Sequence, residues 1–427
     1  MRQKNPLVTS PGRYIARMFI LCIFFNSALW AQQAQFNNTD TPLDLKQAFE
    51  LAWDRQPEAK SATLRRNAAQ ARQEVANSWT AEPPSLDLFT RSDQVTGDQG
   101  RREYVAGVTL PLWLPGEQSR ASELAGAELR SVSSRVSAAQ LRTSQNLRTA
   151  WWDWQRARDE TALANARVVN AKKLAADVRR RVNAGDLALS DQHQASGALA
   201  SAEVAQAESE SRLASATQHL RSLTGVLPNS NVKQTPERMP ALPADFTKLD
   251  ANHPAVKELF DRAQVARRTA DLASAQNWKN PEVFLGTTRE RGAYGESWQQ
   301  SITLGVRIPF GSGSRDRARI GQAQAEALES ESQMRLEQER LAADLEASKI
   351  LVESTRLQLV AAEKRARLAQ ESRVFFEKSF RLGETDLPTR LRIELESVEA
   401  QRGASRARID LAAAVSTLRQ NLGLLPE

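Results

Sequence analysis

Cysteine and histidine are nearly absent from this 427-residue sequence, which has one of the first and three of the second. No intrachain disulfide framework is possible, and a multi-cysteine zinc or iron–sulfur centre is excluded. The histidines, His193, His219 and His253, are scattered and form no ligand cluster. Glycine (19) and proline (17) are too few for a collagen-like or Pro/Gly-rich chain. No nucleophile motif, phosphate-binding loop or paired-carboxylate pattern is present. The expectation is a protein that is not an enzyme, with no catalytic, cofactor-binding or metal-ligating residues.

The longest apolar run is Met18-Phe-Ile-Leu-Cys-Ile-Phe-Phe25. It is shorter than the roughly 20 residues a spanning helix needs. Arg2, Lys4, Arg13 and Arg17 precede it, and Asn26-Ser-Ala-Leu-Trp-Ala31 follows. That order is the signature of an export signal, and cleavage is expected after Ala31. Cys22 lies inside the run and follows Leu21 instead of the small residue usual at a lipid-attachment cysteine. The formal charge of +7 is partly a property of this segment, because residues 1–31 hold four basic groups and no acidic ones. Without them the chain has 54 basic against 51 acidic side chains, and a nucleic-acid partner is not expected.

The rest of the chain repeats itself. Gly185-Asp-Leu-Ala-Leu189 resembles Gly383-Glu-Thr-Asp-Leu387 at an offset of 198, and Gly225-Val-Leu-Pro228 matches Gly423-Leu-Leu-Pro426 at the same offset. Pro83 and Pro111 map to Pro281 and Pro309. Two tandem copies follow, at 32–227 and 251–427, joined by a Pro-rich linker at 228–250. Each opens with a helical segment, at about 44–79 and 254–278. Two alternating segments come next, read as strands at about 84–91 and 104–112, then at 281–288 and 298–310. In the last of these, Trp298, Gln300, Ile302, Leu304, Val306, Ile308 and Phe310 share one face, and Gln299, Ser301, Thr303, Gly305 and Arg307 the other. The face of Tyr104, Ala106, Val108, Leu110 and Leu112 is its equivalent in the first copy.

Long helices are expected at about 117–183 and 314–381, each roughly 100 Å if continuous. Positions spaced alternately by four and three form coiled-coil seams. One runs from Leu341 through Leu345, Ser348, Val352 and Thr355 to Phe376 and Phe380, and another through Ala164, Val168, Ala171, Ala175, Val178 and Val182. The fold class is thus mostly α with a small antiparallel β part. Trp151, Trp152 and Trp154 fall mid-helix and read as packing. Trp79, Trp113, Trp278 and Trp298 lie near strand ends and suit an interfacial girdle.

Four strands cannot close a barrel, and an open sheet leaves two bare edges. An apolar face opposite a polar face is the pattern of a lipid-facing barrel with a wet interior, and a bilayer admits only closed barrels. The chain must therefore oligomerise. Two copies give an eight-stranded barrel filled by side chains, and three give twelve strands with an open bore. Thr303 and Arg307 are candidates to line it.

The tandem repeat, the order of hairpin then long helix, and the segments Gly107-Val-Thr-Leu-Pro-Leu112, Gly305-Val-Arg-Ile-Pro-Phe310 and Leu43-Asp-Leu-Lys-Gln-Ala-Phe-Glu-Leu-Ala-Trp-Asp-Arg-Gln-Pro57 carry a resemblance. The chain resembles the TolC-type outer membrane factors of Gram-negative tripartite efflux and type I secretion systems. That resemblance implies a homotrimer with a twelve-stranded transmembrane barrel, embedded in outer-membrane lipid, on a periplasmic α-helical barrel. It also implies a periplasmic adaptor (membrane fusion protein) and an inner-membrane pump of the RND type as partners. The family's adaptor-docking tips match Val182, Gly185, Asp186 and Leu187 in the first copy, and Arg381, Leu382, Gly383 and Glu384 in the second. Gly185 and Gly383 suit left-handed helix ends, and Asp186 or Glu384 would start the returning helices. Asp191, Asp386 and Arg390 are candidates for a periplasmic gate, Arg390 pairing with an acid. The short tail after Gly423-Leu-Leu-Pro426 resembles the heavy-metal cation efflux branch. A type I protein secretion channel, or a periplasmic coiled-coil scaffold without a barrel, are the alternative readings.

Overall fold

The computed structural model describes residues 43–228, 236–241, 253–311 and 313–427. The expected export signal, Cys22 and most of the linker lie outside them. Two helices open the chain, α1 (Leu45–Asp54) and α2 (Pro57–Ala76). The single helical segment anticipated there is broken, because Pro57 cannot continue α1 but suits the first position of a new helix. Asp44 caps α1 reciprocally with Gln47, at 2.7 and 3.2 Å. Strands β1 (Ser85–Ser92) and β2 (Arg102–Pro111) follow, then the 67-residue α3 (Glu117–Asn183) and its return, α4 (Leu189–Thr224). The second copy runs α5 (Pro254–Ala275), β3 (Glu282–Arg291), β4 (Gln299–Arg307), the 70-residue α6 (Gly313–Leu382) and α7 (Leu387–Asn421). Among the described residues no helix is long and apolar enough to cross a membrane.

The two hairpins merge into one antiparallel sheet of order β1-β2-β3-β4. The seam between the copies is β2 against β3, with Gly107 opposite Gly286. At β4 the strand stops at Arg307, short of Phe310, because Pro309 has no amide hydrogen to continue the ladder. Strands β1 and β4 remain as the two edges.

Helices α3 with α4, and α6 with α7, form long helical hairpins, and α5 packs against both α3 and α6. The heptad-like positions of α6 face inward: Leu345, Ser348, Val352, Thr355 and Phe380 are buried. Small residues at these positions let backbones approach closely, which long helices with mostly polar surfaces require. The largest core lies midway along the hairpins. There α1 buries Leu45, Ala48 and Phe49 against Leu147, Trp151, Trp152 and Trp154 of α3. The Trp152 indole donates to Ser416 Oγ of α7 at 2.9 Å, tying the tryptophan cluster to the second copy.

Beside this core sits a buried ionic clamp. Glu237, from the short described piece of the linker, is held by Arg148 of α3 at 2.6 Å and Arg419 of α7 at 3.2 Å. All three side chains are at most 4% exposed. Arg148 also donates to Gln420 Oε1 at 2.7 Å and the Leu424 carbonyl at 3.0 Å. Arg419 donates to the Arg238 carbonyl at 3.0 Å. Glu237→Ala leaves the buried Arg148 guanidinium with no carboxylate partner and Arg419 with only the exposed Glu427, and should destabilise the protein by about 3–5 kcal/mol. Denaturant unfolding of the detergent-solubilised protein measures this, and Glu237→Gln should cost less because it keeps acceptor oxygen in place.

Candidate functional site

The register sorts the sheet into two chemically distinct faces, because directly opposed residues in an antiparallel pair point the same way. On one face lie Leu86 and Leu88 of β1, Val108 and Leu110 of β2, Val283 and Leu285 of β3, and Ile302, Leu304 and Val306 of β4. Most of the band is open: Ile302 is 80% exposed and Leu304 72%, with only Leu110 and Val283, near the helices, partly buried. Such a continuous apolar band asks for an apolar surrounding.

The opposite face carries Asp87, Arg91, Glu103, Glu282, Thr303 and Arg307. Arg307 pairs with Glu282 at 3.0 Å and Arg91 with Glu103 at 3.5 Å, and Thr109 donates to Asp87. Thr303 sits opposite Gly286. Both lumen candidates therefore lie on the polar face. A feature that the alternation did not reveal is Phe284, an apolar residue on this same face. Its ring lies across Gly107 and Gly286, where any side chain would collide with it. The facing glycines are the signal, since a bare stretch of ladder is commonly covered by a neighbouring aromatic.

At the far end of the hairpins the two tips share one backbone design. Gly185 and Gly383 adopt φ of 85° and 80°. The Asp186 amide donates to the Arg181 carbonyl at 2.8 Å, and the Glu384 amide to the Ser379 carbonyl at 3.0 Å. These bonds close the last helical turns in Schellman geometry. Asp186 and Glu384 do not start the returning helices as expected. Ala188 and Asp386 occupy those cap positions, two residues further on, because the Schellman turn uses the intervening residues. Asp191 accepts from the Ala188 amide at 3.0 Å, and Asp386 from the Thr389 amide at 3.2 Å. Two of the acids proposed for a gate thus serve as helix-start acceptors.

Arg390 does not pair with them. Its guanidinium lies 4.9 Å over the ring of Phe380, and Arg181 of α3 lies 5.0 Å over the same ring. Arg181 also donates to the carbonyls of Phe380 and Arg381 at 3.1 and 3.0 Å, closing the end of α6 from the other copy. Burial pulls the Arg390 guanidinium below its usual range, against the attraction of Glu377, Glu394 and Asp177. These groups border a groove of about 670 Å³ between the two hairpins, where Arg373 pairs with Glu394 at 3.0 Å. Arg181 went unremarked in the sequence. A basic residue in a last helical turn is the available signal, but the helix it closes is its neighbour's.

Residues 48–226, which span the first copy almost completely, match the family model for outer membrane efflux proteins. That match covers less than half of the chain. The chain is 28% identical over 297 residues to protein CyaE of Bordetella pertussis, a match covering 65% of this chain and 62% of CyaE. The chain thus matches less than two thirds of that relative's length. The outer membrane protein VceC of Vibrio cholerae has the same fold, with a TM-score of 0.72 at 17% identity over 90% of this chain and 97% of VceC. The open-state outer membrane channel MtrE of Neisseria gonorrhoeae gives a TM-score of 0.73 at 15% identity over 89% of each chain. Among the described residues, no group of three or more His, Cys, Asp or Glu is placed to hold a metal ion.

The sheet and the tips lie at opposite ends of α3 and α6, so the two sets of candidates never meet. Two predictions concern the tips. Phe380 is 1% exposed, and Phe380→Ala should cost about 3–5 kcal/mol in unfolding experiments, removing the ring that separates two cations. The hydrogen bonds from Thr389 hold the Asp386 carboxyl below its usual range. The cap is therefore complete at and above the ordinary carboxylate value and is lost only as pH falls through the lowered one. Hydrogen–deuterium exchange of the 386–391 segment, corrected for intrinsic rate, should show protection falling in that acid range. Asp386→Asn should remove the dependence.

Proposed function

We propose that the protein is the passive outer-membrane channel of a tripartite efflux assembly, working as a homotrimer. Three four-stranded sheets close a twelve-stranded barrel, edge β4 of one protomer pairing with edge β1 of the next. The apolar face meets lipid, and the polar face, with Thr303 and Arg307, lines the bore. The helical hairpins continue into the periplasm as a tunnel. The single observation that carries this reading is the sheet: an apolar face and two unpaired edges, stable in a bilayer only when closed. An inner-membrane pump of the RND type supplies the energy for transport.

A periplasmic adaptor docks at the tips, on Val182, Gly185, Asp186 and Leu187 and on Arg381, Leu382, Gly383 and Glu384. The shared Schellman geometry supports two quasi-equivalent docking turns per chain. Asp191, Asp386 and Arg390 stand in the wall around the tunnel mouth, where the stacked Arg390 braces the hairpins. Small toxic compounds or heavy-metal cations are the cargo class, selected by the pump.

The detergent-corrected mass of the solubilised protein tests the assembly. A mass of three chains is expected; a soluble monomer or dimer released without detergent overturns it in favour of a coiled-coil scaffold. Deletion of the gene should lower tolerance to small toxic compounds or metal cations. Loss of release of a secreted protein with tolerance unchanged would instead indicate a protein-secretion channel.

A further inference from the structure

The apolar face of the sheet ends abruptly at its helix-distal edge. Above Leu285 and Ile302 the next rows on the same face hold Tyr104 opposite Arg289, and then Arg291 beside Trp298. The Trp298 and Tyr104 rings lie 5.7 Å apart. Both guanidinium groups stack on the one indole, Arg289 at 5.2 Å and Arg291 at 5.0 Å. Arg291 donates its Nε–H to the Gly100 carbonyl at 3.1 Å, which fixes its plane.

Neither arginine forms an ion pair among the described residues, although acids are close in sequence. Glu103 and Glu290 oppose each other on the polar face. Asp98 accepts from the Tyr294 hydroxyl at 2.7 Å and pairs with Arg102 at 3.4 Å, and Glu296 accepts the Gly292 amide at 2.9 Å. Two cations are thus held side by side, neither in an ion pair, while Arg102, directly opposite Arg291 on the same face, is already paired with Asp93 at 2.9 Å and Asp98 at 3.4 Å. They lie one step beyond an apolar band, on the face turned away from the bore. Uncompensated charge at the edge of hydrocarbon is costly, and guanidinium forks match phosphate oxygens.

We propose that Arg289 and Arg291, stacked on Trp298 and flanked by Tyr104, form a binding site for the phosphate of a lipid headgroup in the outward-facing leaflet. The inference rests on the barrel reading above, which makes this face lipid-exposed and puts the helix-distal loops outside the cell. The site orients the barrel at the outer interface, the aromatic rings lying at headgroup level. The phosphate belongs to a lipid and not to free solution because the arginines share the face of Leu285 and Ile302, whose surrounding is hydrocarbon.

The test uses the full-length assembled protein in detergent, with native mass spectrometry as readout. The probes are bisphosphorylated lipid A, its dephosphorylated form and inorganic phosphate. The double variant R289Q/R291Q should retain the bisphosphorylated lipid at least about tenfold more weakly than the unsubstituted protein. Retention of the dephosphorylated lipid should be equal in both. If the double variant does not assemble, Trp298→Leu keeps both charges, removes their platform and should still loosen retention several-fold. Equal retention of the phosphorylated lipid by assembled protein and variants overturns the site, as does displacement of the lipid by equimolar inorganic phosphate. A wild-type protein that assembles but retains both lipids alike sinks this inference alone. One that needs no detergent and forms no membrane oligomer sinks the channel reading with it.

Discussion

Backbone hydrogen bonding at the edges of a four-stranded sheet governs the rest of this molecule. Strands β1 and β4 each present a row of amide and carbonyl groups with no partner strand among the described residues, beside side chains such as Ile302 and Leu86 that water disfavours. Hydrocarbon offers no hydrogen bonds, so an edge there must find another strand. A single chain has too few strands to supply it. Duplication of one hairpin unit doubled what each chain contributes, and the β2–β3 pairing fused the two units through a ladder instead of a loop.

The helices answer a different requirement. A helix of 67 or 70 residues with a mostly polar surface cannot be stable alone, and its stability comes from neighbours along its whole length. Small residues at the contact positions let α3 and α6 lie close to their returning partners. At the ends, where a coil would fray, the turns are closed by left-handed glycines and by Arg181 reaching from one copy onto the last carbonyls of the other. Both tip turns thus end with their last carbonyls hydrogen-bonded instead of left open.

The fold class was largely legible because its signals are periodic. Alternation marked the face of Ile302, Leu304 and Val306, and the four-three spacing marked Leu345, Val352 and Phe380. Both patterns express burial against a regular neighbour, so they survive in sequence. What was not legible depends on contacts between distant positions. Phe284 breaks the alternation because it covers glycines on two strands. Asp386, and not Glu384, caps α7 because the preceding turn is two residues longer than a minimal one. Arg390 stacks on Phe380 although acids lie nearby, since the ring is presented by a helix whose end was known but whose rotation was not. The groups around Trp298 gather from β2, β3 and β4, which no local pattern connects.

The clamp on Glu237 has a consequence for symmetry. With two copies of one unit per chain, any ring of such chains has twice as many quasi-equivalent positions as subunits. The residue 198 positions beyond Arg148 is Glu346, of opposite charge, and the counterpart of Arg419 is Arg221, an exposed residue. Glu237 belongs to a linker that occurs once per chain. The clamp is not repeated in the second half, so in a ring of such chains it would mark alternate staves of the helical wall. Anything gripping such a ring at this level would meet a surface with the symmetry of the subunits, whereas the two matching glycine turns at the tips would offer one with twice as many equivalent places.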